Sequence, residues 1–411
     1  MKLSPSGVAA APEILLPREG IDLAKWAVVA CDQYTSQPDY WQRVERAVGE
    51  APSTLRLVYP EVYLEAADRD ARIRAIGERM RAYLGGGVFD APFEGMVYVR
   101  RQTSTGVRQG LVLAVDLEAY DYHPGSASPI RATEATIEER LPPRVRIRQG
   151  APLESPHILL LMDDPGDTVL GNLFPGPLRY DVALMEGGGR IQGYRVDGEQ
   201  AAGALARIDA LPAPGGMRLA VGDGNHSLAT AKACYERIKA ELPPERAAAH
   251  PARYALCELV NLHEPSLVFE PIHRVLFGVE PEAVLEQFAA WRAQRGVGEG
   301  EQVVTAVYAG GERRLRLDGA VHPLAVGTVQ RFLDDYLAVH PEVGVDYIHG
   351  AEVVGQLADG AGNLGFILPA MDKGALFPAV AAGGSLPRKT FSMGHAQEKR
   401  YYMECRSIAA R

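Results

Sequence analysis

The 411-residue sequence has few cysteines, no long apolar run and no excess of positive charge, and each shortage excludes a class of protein. Its four cysteines lie far apart, and no two of them form a C-x-x-C pair. This spacing argues against a zinc site and a disulfide framework, and it fits a reducing cytoplasm. No segment is apolar enough to span a bilayer, and the first residues lack the apolar stretch of a secretory signal. We therefore expect a cytoplasmic protein without a membrane partner.

The charge balance excludes a general nucleic-acid surface. The net charge is −9 and the pI is about 5.7, whereas proteins that bind nucleic acid through their backbone phosphates are usually basic. With 47% hydrophobic and 23% charged residues, the chain has the composition of an ordinary globular protein. Its length suffices for two or three domains. A small-molecule partner is expected, and the oligomeric state is left open.

The most informative stretch runs from Arg218 to Lys232. Residues 218–221 form a short apolar run typical of a buried strand, and residues 228–239 have the period of a helix. Between them stand two glycines with aspartate, asparagine, histidine and serine. A tight strand-to-helix turn leaves free backbone N–H groups at the helix start, where an anion can bind. The alternative is a capped junction without a ligand. We favour a functional site because so many polar side chains share one turn.

The rest of the chain predicts an α/β fold, with mixed sheets and flanking helices around that turn. Short apolar runs predict strands at 26–31, 96–102, 111–117, 157–162, 180–185, 190–196, 254–261 and 267–274. Helical periodicity predicts helices at 39–48, 61–84, 281–294 and 328–339. A Gly/Glu-rich run at 296–302 is interpreted as a linker. It divides the chain into a main α/β region, 1–295, with the phosphate-binding core, and a C-terminal α/β region, 296–411.

Two further polar segments invite functional interpretation. Arg144, Arg146 and Arg148 alternate after Pro142-Pro143, which predicts a strand with all three arginines on one face. That face is either a solvent-exposed edge or a wall that binds phosphate. Asp32 begins a polar loop directly after an apolar run, where α/β proteins tend to place binding groups. It is equally consistent with a plain turn residue.

Four short segments together resemble a known family. In chain order they are Thr133-Glu-Ala-Thr136 flanked by Arg131 and Arg140, Asp223-Gly-Asn-His-Ser227, Pro271-Ile-His-Arg274 and Pro387-Arg-Lys-Thr390. Their order and extent resemble DUF family 1015, whose characterised members are pyrophosphate-dependent serine kinases with a ParB/sulfiredoxin-like core. The resemblance covers nearly the whole chain. It implies phosphoryl transfer to a hydroxylated amino acid such as serine, with pyrophosphate or a nucleotide as donor and Mg²⁺ as cofactor.

The central turn departs from the family signature Asp-Gly-His-His-Arg. Asn225 replaces a histidine and Ser227 replaces the arginine, so two groups expected to face a phosphate are missing. The residues after Lys389-Thr390 also differ from the aromatic residues of the family. The chain therefore resembles a divergent branch, in which either the donor site is weakened or another cation, Lys232 or one of Arg144, Arg146 and Arg148, binds the phosphoryl oxygens. Lys232 is the first candidate, because a lysine near a helix start can fold back towards an anion.

The resemblance implies a site whose members fall into two groups. Asp223, His226 and Glu134 are expected to be catalytic, and Asp32 is a further candidate for the general base or a magnesium ligand. Substrate or phosphate is expected to contact Gly224, Asn225, Ser227, Lys232, Arg131, Thr136, Arg140, His273, Arg274, Lys389 and Thr390. We expect one cleft to contain them.

Three functions fit these residues. The first is a phosphotransferase of the serine-kinase type, since phosphoryl transfer needs mainly fixed cations, N–H groups and an oriented hydroxyl. The second is a ParB-like module that binds a nucleotide or polyphosphate. The third is a hydrolase of phosphate esters. The loss of two donors at the turn favours the second and third, whereas carboxylates placed near cations favour chemistry.

Overall fold

The chain forms two compact units in the computed structural model, which describes residues 1–134, 141–174, 176–296, 298–299, 301–319 and 321–410. The first unit comprises Met1–Leu267 together with Gly394–Arg411, and the second comprises Val268–Met393. The α/β class expected from the sequence is confirmed. None of the helices within these ranges is long and apolar enough to cross a membrane.

The first unit is built on a mixed sheet. The strands of the unit are β1 (Lys2–Leu3), β2 (Ala9–Ala11), β3 (Glu13–Ile14), β4 (Phe93–Glu94), β5 (Met96–Thr103), β6 (Gly106–Asp116), β7 (Tyr120–Asp121), β8 (Ile130–Ala132), β9 (Leu153–Glu154), β10 (Leu159–Met162), β11 (Leu178–Ala183), β12 (Arg190–Val196), β13 (Leu219–Asp223) and β14 (Tyr254–Asn261). Strands β3 and β4 pair with each other apart from this sheet, and β9 also lies outside it. The main strand order is β11-β12-β5-β6-β14-β10-β13-β8-β7, with β2 also paired to β6. Strand β13 runs parallel to β8 and antiparallel to β10.

Helices cover this sheet because its central strands are apolar on both faces. The helices of the first unit are α1 (Pro38–Val48), α2 (Arg69–Gly85), α3 (Leu141–Arg148), α4 (Gly198–Ala210), α5 (Asn225–Glu241) and α6 (Pro244–Ala248). Along β6, Leu111 and Leu113 enter one core and Val112 enters the other, as the two-residue period of a strand requires. Burial on both faces explains why the sequence shows continuous apolar runs rather than alternation.

The second unit contains a smaller antiparallel sheet. Its strands are β15 (Phe269–Phe277), β16 (Glu301–Tyr308), β17 (Gly311–Asp318), β18 (Gly344–His349), β19 (Asn363–Ile367) and β20 (Phe391–Met393). Its helices are α7 (Pro281–Ala293), α8 (Ala325–Val339), α9 (Ala351–Ala358) and α10 (Leu376–Gly383). The strand order is β17-β16-β19-β15-β18, and β20 pairs with β15.

The division between the units differs from the predicted boundary at 295/296. Strand β15 pairs with β18, β19 and β20, so the second unit begins before α7. The last residues return to the first unit, where strand β21 (Arg406–Ser407) pairs with β9. The sequence could not show either feature, because both depend on strand pairing between distant segments rather than on a flexible composition.

Local predictions succeed where the apolar period is strong. The hairpins β5–β6 and β11–β12, strand β14 and the start of α5 near Asn225 are confirmed. Residues 26–30 are buried as expected and Cys31 is partly exposed, but the structure assigns this segment a single bridge, Val29 to Arg400, instead of a strand.

The three arginines predicted to share a strand face lie instead on helix α3. Pro142 and Pro143 stand in the first turn of this helix. A missing N–H costs little there, because N–H groups of the first turn have no acceptor within the helix. The prolines therefore start a helix, and the interpretation of Arg144, Arg146 and Arg148 as one strand face is wrong.

Candidate functional site

The turn between β13 and α5 lies at an edge of the first sheet where several polar segments meet. Parallel strands β8 and β13 end together, so Glu134 and Asp223 follow neighbouring strands at the same edge. Strand β10 is antiparallel to β13 and begins there, which brings His157 to this edge as well. Thr133 fixes the end of β13, because its Oγ1 donates to the carbonyl of Val221 at 2.6 Å.

Gly224 makes the tight turn into α5 possible. It has a left-handed backbone with φ +77°, and its N–H donates to Oδ1 of Asp223 at 2.9 Å. A Cβ at this position would lie 3.1 Å from Cα of Ile158, so the two backbones approach each other closely. Only glycine adopts this conformation without strain and leaves room for Ile158.

The start of α5 has no side-chain cap. The first hydrogen bond of the helix runs from Leu228 N–H to the Gly224 carbonyl, so the N–H groups before Leu228 have no acceptor within the helix itself. Such a helix start is suited to an anion. Oδ1 of Asn225 is shielded from solvent and accepts no hydrogen bond from the part of the chain that the structure describes. A polar atom buried in this way normally has a partner, so a ligand group at the turn would satisfy it.

A lysine from the far end of the chain completes the turn. Nζ of Lys399 lies 3.2 Å from Oδ2 of Asp223, and both side chains are about a quarter exposed or less. Backbone hydrogen bonds hold this lysine in place: its carbonyl accepts from the Ala30 N–H at 2.7 Å, and Tyr401 donates to Val28 at 3.0 Å. The C-terminal segment therefore carries a fixed cation to the helix start.

The charges around Lys399 keep it protonated. Burial lowers the pKa of this lysine, but the nearby carboxylates of Asp223 and Asp32 raise it by more. Glu134 also raises the pKa of Lys399, so this predicted catalytic residue acts electrostatically on the same cluster. One ammonium thus stands among three carboxylates at the start of α5. We call Asp32, Glu134, Asp223 and Lys399 the lysine–carboxylate cluster.

Asp32 is the member of the lysine–carboxylate cluster that comes from the loop after residues 26–31. Desolvation by the surrounding protein raises the pKa of Asp32, but the charge of His157, a 3.0 Å hydrogen bond from Gln33 and the charge of Lys399 outweigh it. The net pKa is below the usual value, and the side chain is exposed to solvent. Asp32 is therefore an accessible carboxylate at neutral pH.

His157 lies beside the helix start and interacts electrostatically with Asp32. Its Nε2 lies 3.4 Å from Oγ of Ser227, and its ring meets the ring of Tyr401 edge-on with centroids 5.0 Å apart. The histidine is only 8% exposed, so packing fixes its orientation. The site thus contains a hydroxyl and an imidazole in contact, with a carboxylate nearby.

An ion pair between Glu61 and Arg144 borders the Asp32 loop. The Glu61 N–H donates to the Cys31 carbonyl at 2.8 Å, which ties the pair to this loop. Burial raises the pKa of Cys31 to about 12, and the charge of Asp32 acts in the same direction. The thiol is therefore protonated at neutral pH and is a poor candidate for a nucleophile.

The structure brings together only part of the predicted site. Asp223, Gly224, Asn225, His226 and Ser227 share the turn, as the sequence implies. The His226 side chain has its Nε2 shielded from solvent, and its carbonyl accepts from Thr230 at 2.7 Å. The predicted contacts of Thr136 and Arg140 lie outside the described residues.

Two residues predicted to contact phosphate, Lys232 and Arg131, form hydrogen bonds within the protein. Nζ of Lys232 donates to the Leu117 carbonyl at 2.9 Å and pairs with Glu236 at 2.8 Å. It stands two turns into α5, about 10 Å along the axis from Asn225, so it does not fold back to the helix start. Arg131 is buried and donates to backbone carbonyls, among them that of Ser128 at 2.9 Å. Both side chains hold neighbouring segments together, and their predicted contact with phosphate stays a prediction.

The remaining predicted residues belong to the second unit. Arg274 is fully buried, and its guanidinium donates to the carbonyls of Arg388 and Lys389 at 2.8 and 3.0 Å. It supports the loop through these hydrogen bonds, and its predicted contact with phosphate stays a prediction. Lys389 is exposed and has a left-handed backbone with φ +54°. Its role as a phosphate contact stays a prediction, as do those of Thr390 and His273.

His273 and Thr390 have internal partners in the second unit. Nδ1 of His273 accepts from the Leu368 N–H at 3.1 Å, and burial lowers the pKa of this histidine to about 4. Oγ1 of Thr390 donates to the Pro387 carbonyl at 2.5 Å. His273 is thus a neutral imidazole at physiological pH.

The sequence interpretation missed Lys399 and His157. His157 was noted only as the first residue of an apolar run, and no local motif surrounds Lys399. Its neighbourhood becomes visible only through the pairing of residues 28–30 with 399–401. The single available signal was the lost arginine at Ser227, which predicted that another cation would replace it.

A family model describes the first three quarters of the chain. The model of DUF1015, described as a protein of unknown function, matches residues 15–336. The chain belongs to this family. The resemblance seen in the sequence is confirmed over that range, while Lys389, Thr390 and Lys399 lie beyond it. No curated protein matches the chain.

Solved structures with a similar fold include a free serine kinase variant bound to AMP. It is 11% identical, with a TM-score of 0.37, and the alignment covers 69% of this chain and 86% of that chain. A conserved hypothetical protein from Pyrococcus furiosus is 13% identical, with a TM-score of 0.35 and coverages of 69% and 90%. SbnI from Staphylococcus aureus, truncated at its C-terminus, is 11% identical, with a TM-score of 0.36 and coverages of 69% and 82%. These similarities are too distant to assign an activity.

Proposed function

We propose that this chain is a small-molecule phosphotransferase, which moves a phosphoryl group from pyrophosphate or a nucleotide to the hydroxyl of an amino acid such as serine. The observation that carries the proposal is the position of Lys399, held beside Asp223 at the uncapped start of α5. A fixed ammonium beside the N-terminus of a helix forms a site for an anion with several oxygens.

The donor would bind with its terminal phosphate at the helix start. Phosphoryl transfer needs positive charge around the transferred oxygens and little covalent work from the protein. The N–H groups of the first turn supply partial positive charge, and Lys399 supplies a full one. Asp223 orients this lysine and, through Gly224, fixes the turn.

The acceptor hydroxyl would approach Asp32. This carboxylate is exposed, ionised at neutral pH and close enough to Lys399 to affect its pKa. It can accept a hydrogen bond from the attacking hydroxyl and so orient it toward the phosphorus, which is the main contribution of such a carboxylate in phosphoryl transfer. The buried Oδ1 of Asn225 would accept a hydrogen bond from an N–H or O–H group of a bound substrate.

Magnesium fits this site only as a companion of the donor. Within the described ranges no group of three or more histidine, cysteine, aspartate or glutamate side chains is arranged to hold a metal ion. Magnesium bound to phosphates commonly takes only one or two protein carboxylates, and Asp32 is suitably placed to be one. The ion would supply charge neutralisation on the donor, while the protein orients the acceptor.

The test is to incubate the purified protein with magnesium and serine, together with pyrophosphate, ATP or ADP in turn. Phosphoserine, measured by mass spectrometry, is expected with at least one donor. Asp32→Asn is expected to lower its formation by roughly 10²–10⁴-fold, the usual contribution of a positioned acid–base group. Asp90→Asn, in a surface carboxylate paired with Arg179, is the matched control and keeps wild-type activity.

The other possible results separate the alternative functions. Donor binding without any turnover would favour a binding module for nucleotides or polyphosphate. Release of inorganic phosphate without phosphoserine would favour a hydrolase. Failure to bind any of the three donors would contradict the proposed function.

A further inference from the structure

We propose that Ser227 is a nucleophile that takes the phosphoryl group from the donor, with His157 as its general base, before the acceptor receives it. This inference rests on the proposed function and adds a covalent intermediate to it. The reaction would then proceed in two steps on the protein instead of one direct transfer.

The geometry of Ser227 suits a nucleophile. It is the third residue of α5, so its Oγ lies in the first helical turn, where developing negative charge is stabilised. The residue is half-buried, and the distance of 3.4 Å from Oγ to His157 Nε2 is within the range of loose pairs before substrate binding. The donor phosphate proposed above would lie at the same helix start.

The geometry of His157 suits a base. The histidine precedes β10, is almost fully buried and packs edge-on against Tyr401, so packing orients its ring. Asp32 interacts with it electrostatically: although desolvation raises the pKa of the Asp32 carboxyl, the charge of His157 is the largest effect that lowers it. An imidazolium formed at His157 would be stabilised by this carboxylate, as in hydroxyl–imidazole–carboxylate sites generally.

Each step conserves atoms and protons. In the first, Ser227 Oγ forms a bond to the terminal phosphorus, the bond from phosphorus to the leaving oxygen breaks, and the serine proton passes through His157 to the leaving phosphate or nucleotide. In the second, the acceptor hydroxyl attacks the phosphoserine, its proton passes through His157 to Oγ, and the Ser227 hydroxyl is restored. No oxidant or reductant is needed.

The experiment combines two labels with three variants of the full chain. A fluorophosphonate reports an activated serine without any donor, because Oγ bonds to phosphorus as fluoride leaves. Pyrophosphate, ATP or ADP with magnesium reports the phosphorylated intermediate. Peptide mapping is expected to locate both labels at Ser227. They should be absent in Ser227→Ala, slowed by roughly 10²–10⁴-fold in His157→Gln, and unchanged in the matched control Ser407→Ala, whose exposed hydroxyl donates to the Pro152 carbonyl.

The readouts separate this inference from the proposed function. If Ser227→Ala forms phosphoserine from free serine at the wild-type rate, direct transfer is established and the nucleophile is overturned while the function stands. If the fluorophosphonate leaves Ser227 unmodified in the wild-type protein, the nucleophile is likewise overturned. If Ser227 is labelled but no free phosphoserine forms, the nucleophile is supported and the proposed acceptor is wrong. Thermal unfolding of each variant confirms that it is folded.

Discussion

Lys399 lies 3.2 Å from Asp223, although one residue belongs to the C-terminal segment and the other to the central strand–helix turn. The pair exists because residues 399–401 hydrogen-bond along residues 28–30. It supplies the cation that the turn itself lacks, since Ser227 stands where the family signature has arginine. The site is thus assembled from three distant parts of the chain.

Replacement of Lys399 is expected to weaken phosphate binding, and replacement of Lys232 is not. Lys399→Ala removes a charge-assisted contact, which is worth about 1–3 kcal/mol, or roughly 5- to 150-fold in Kd. Lys232→Ala is the control, because this lysine is bound to the Leu117 carbonyl and Glu236. Calorimetry with pyrophosphate measures both. Equal affinities for the two variants would place the anion elsewhere.

Gly224→Ala is expected to destabilise the first unit more than Gly7→Ala does. Both glycines have φ +77°, but a Cβ at Gly224 meets the Ile158 backbone at 3.1 Å, whereas none of the described atoms lies within 4 Å of a Cβ at Gly7. The left-handed strain of about 1–2 kcal/mol is therefore common to both variants, and the excess reports the close approach. Urea unfolding midpoints provide the comparison. A smaller loss at Gly224 would show that Ile158 moves aside without cost.

Replacement of Arg274 is expected to lower the free energy of unfolding. Arg274→Ala leaves the carbonyls of Arg388 and Lys389 and the side chain of Gln330 without their buried donor, which costs about 3 kcal/mol or more for several unsatisfied groups. Arg388→Ala, at an exposed ion pair with Asp334, is the control and costs about 0–1 kcal/mol. Denaturant unfolding measures both. Similar losses would mean that the guanidinium hydrogen bonds contribute little.

Glu404 is expected to make the protein less stable as the pH rises. Burial raises the pKa of this carboxyl to about 7, and Tyr180 donates to it at 2.7 Å. The folded state holds the proton of this carboxyl more tightly than the unfolded state. The contribution of Glu404 to the free energy of unfolding is therefore complete below about pH 4.5 and is lost as the pH rises to about 7. The total is up to about 3 kcal/mol.

Glu404→Gln provides the test of this pH dependence. It removes the titrating group while keeping the shape of the side chain, so the difference in unfolding free energy between pH 5 and pH 8 should shrink. An unchanged difference would assign the pH dependence to other groups.

The sequence predicts the fold class, the hairpins and the central turn because these depend on the local periodicity of apolar residues and on the positions of glycines. Strand β14 and the start of α5 are found where the apolar run and the polar turn place them. It mispredicts the segment of Arg144, since Pro-Pro both ends and begins helices and the arginine spacing fits a strand equally well. The sequence favours Lys232 as the replacing cation because it is close to the turn in the chain, but the rise of α5 places it two turns from the helix start.

The part of the site that escaped prediction depends on long-range pairing. Lys399 and His157 reach the turn only through the C-terminal segment and the antiparallel pairing of β10 with β13. Neither residue has a local motif, and the charge of Lys399 matters only beside Asp223 and Asp32. The missing arginine at Ser227 indicates that another cation is needed, but a single sequence does not show which distant segment supplies it.

The position of bound pyrophosphate in a crystal of the protein tests the central claim most directly. We predict a phosphate at the start of α5, within hydrogen-bond distance of the Asn225 and His226 N–H groups and of Lys399 Nζ, with Asp32 facing it. Lys399→Ala crystals grown under the same conditions should lack it. Pyrophosphate bound away from this turn in the wild-type protein, or bound there equally well without Lys399, would contradict the account.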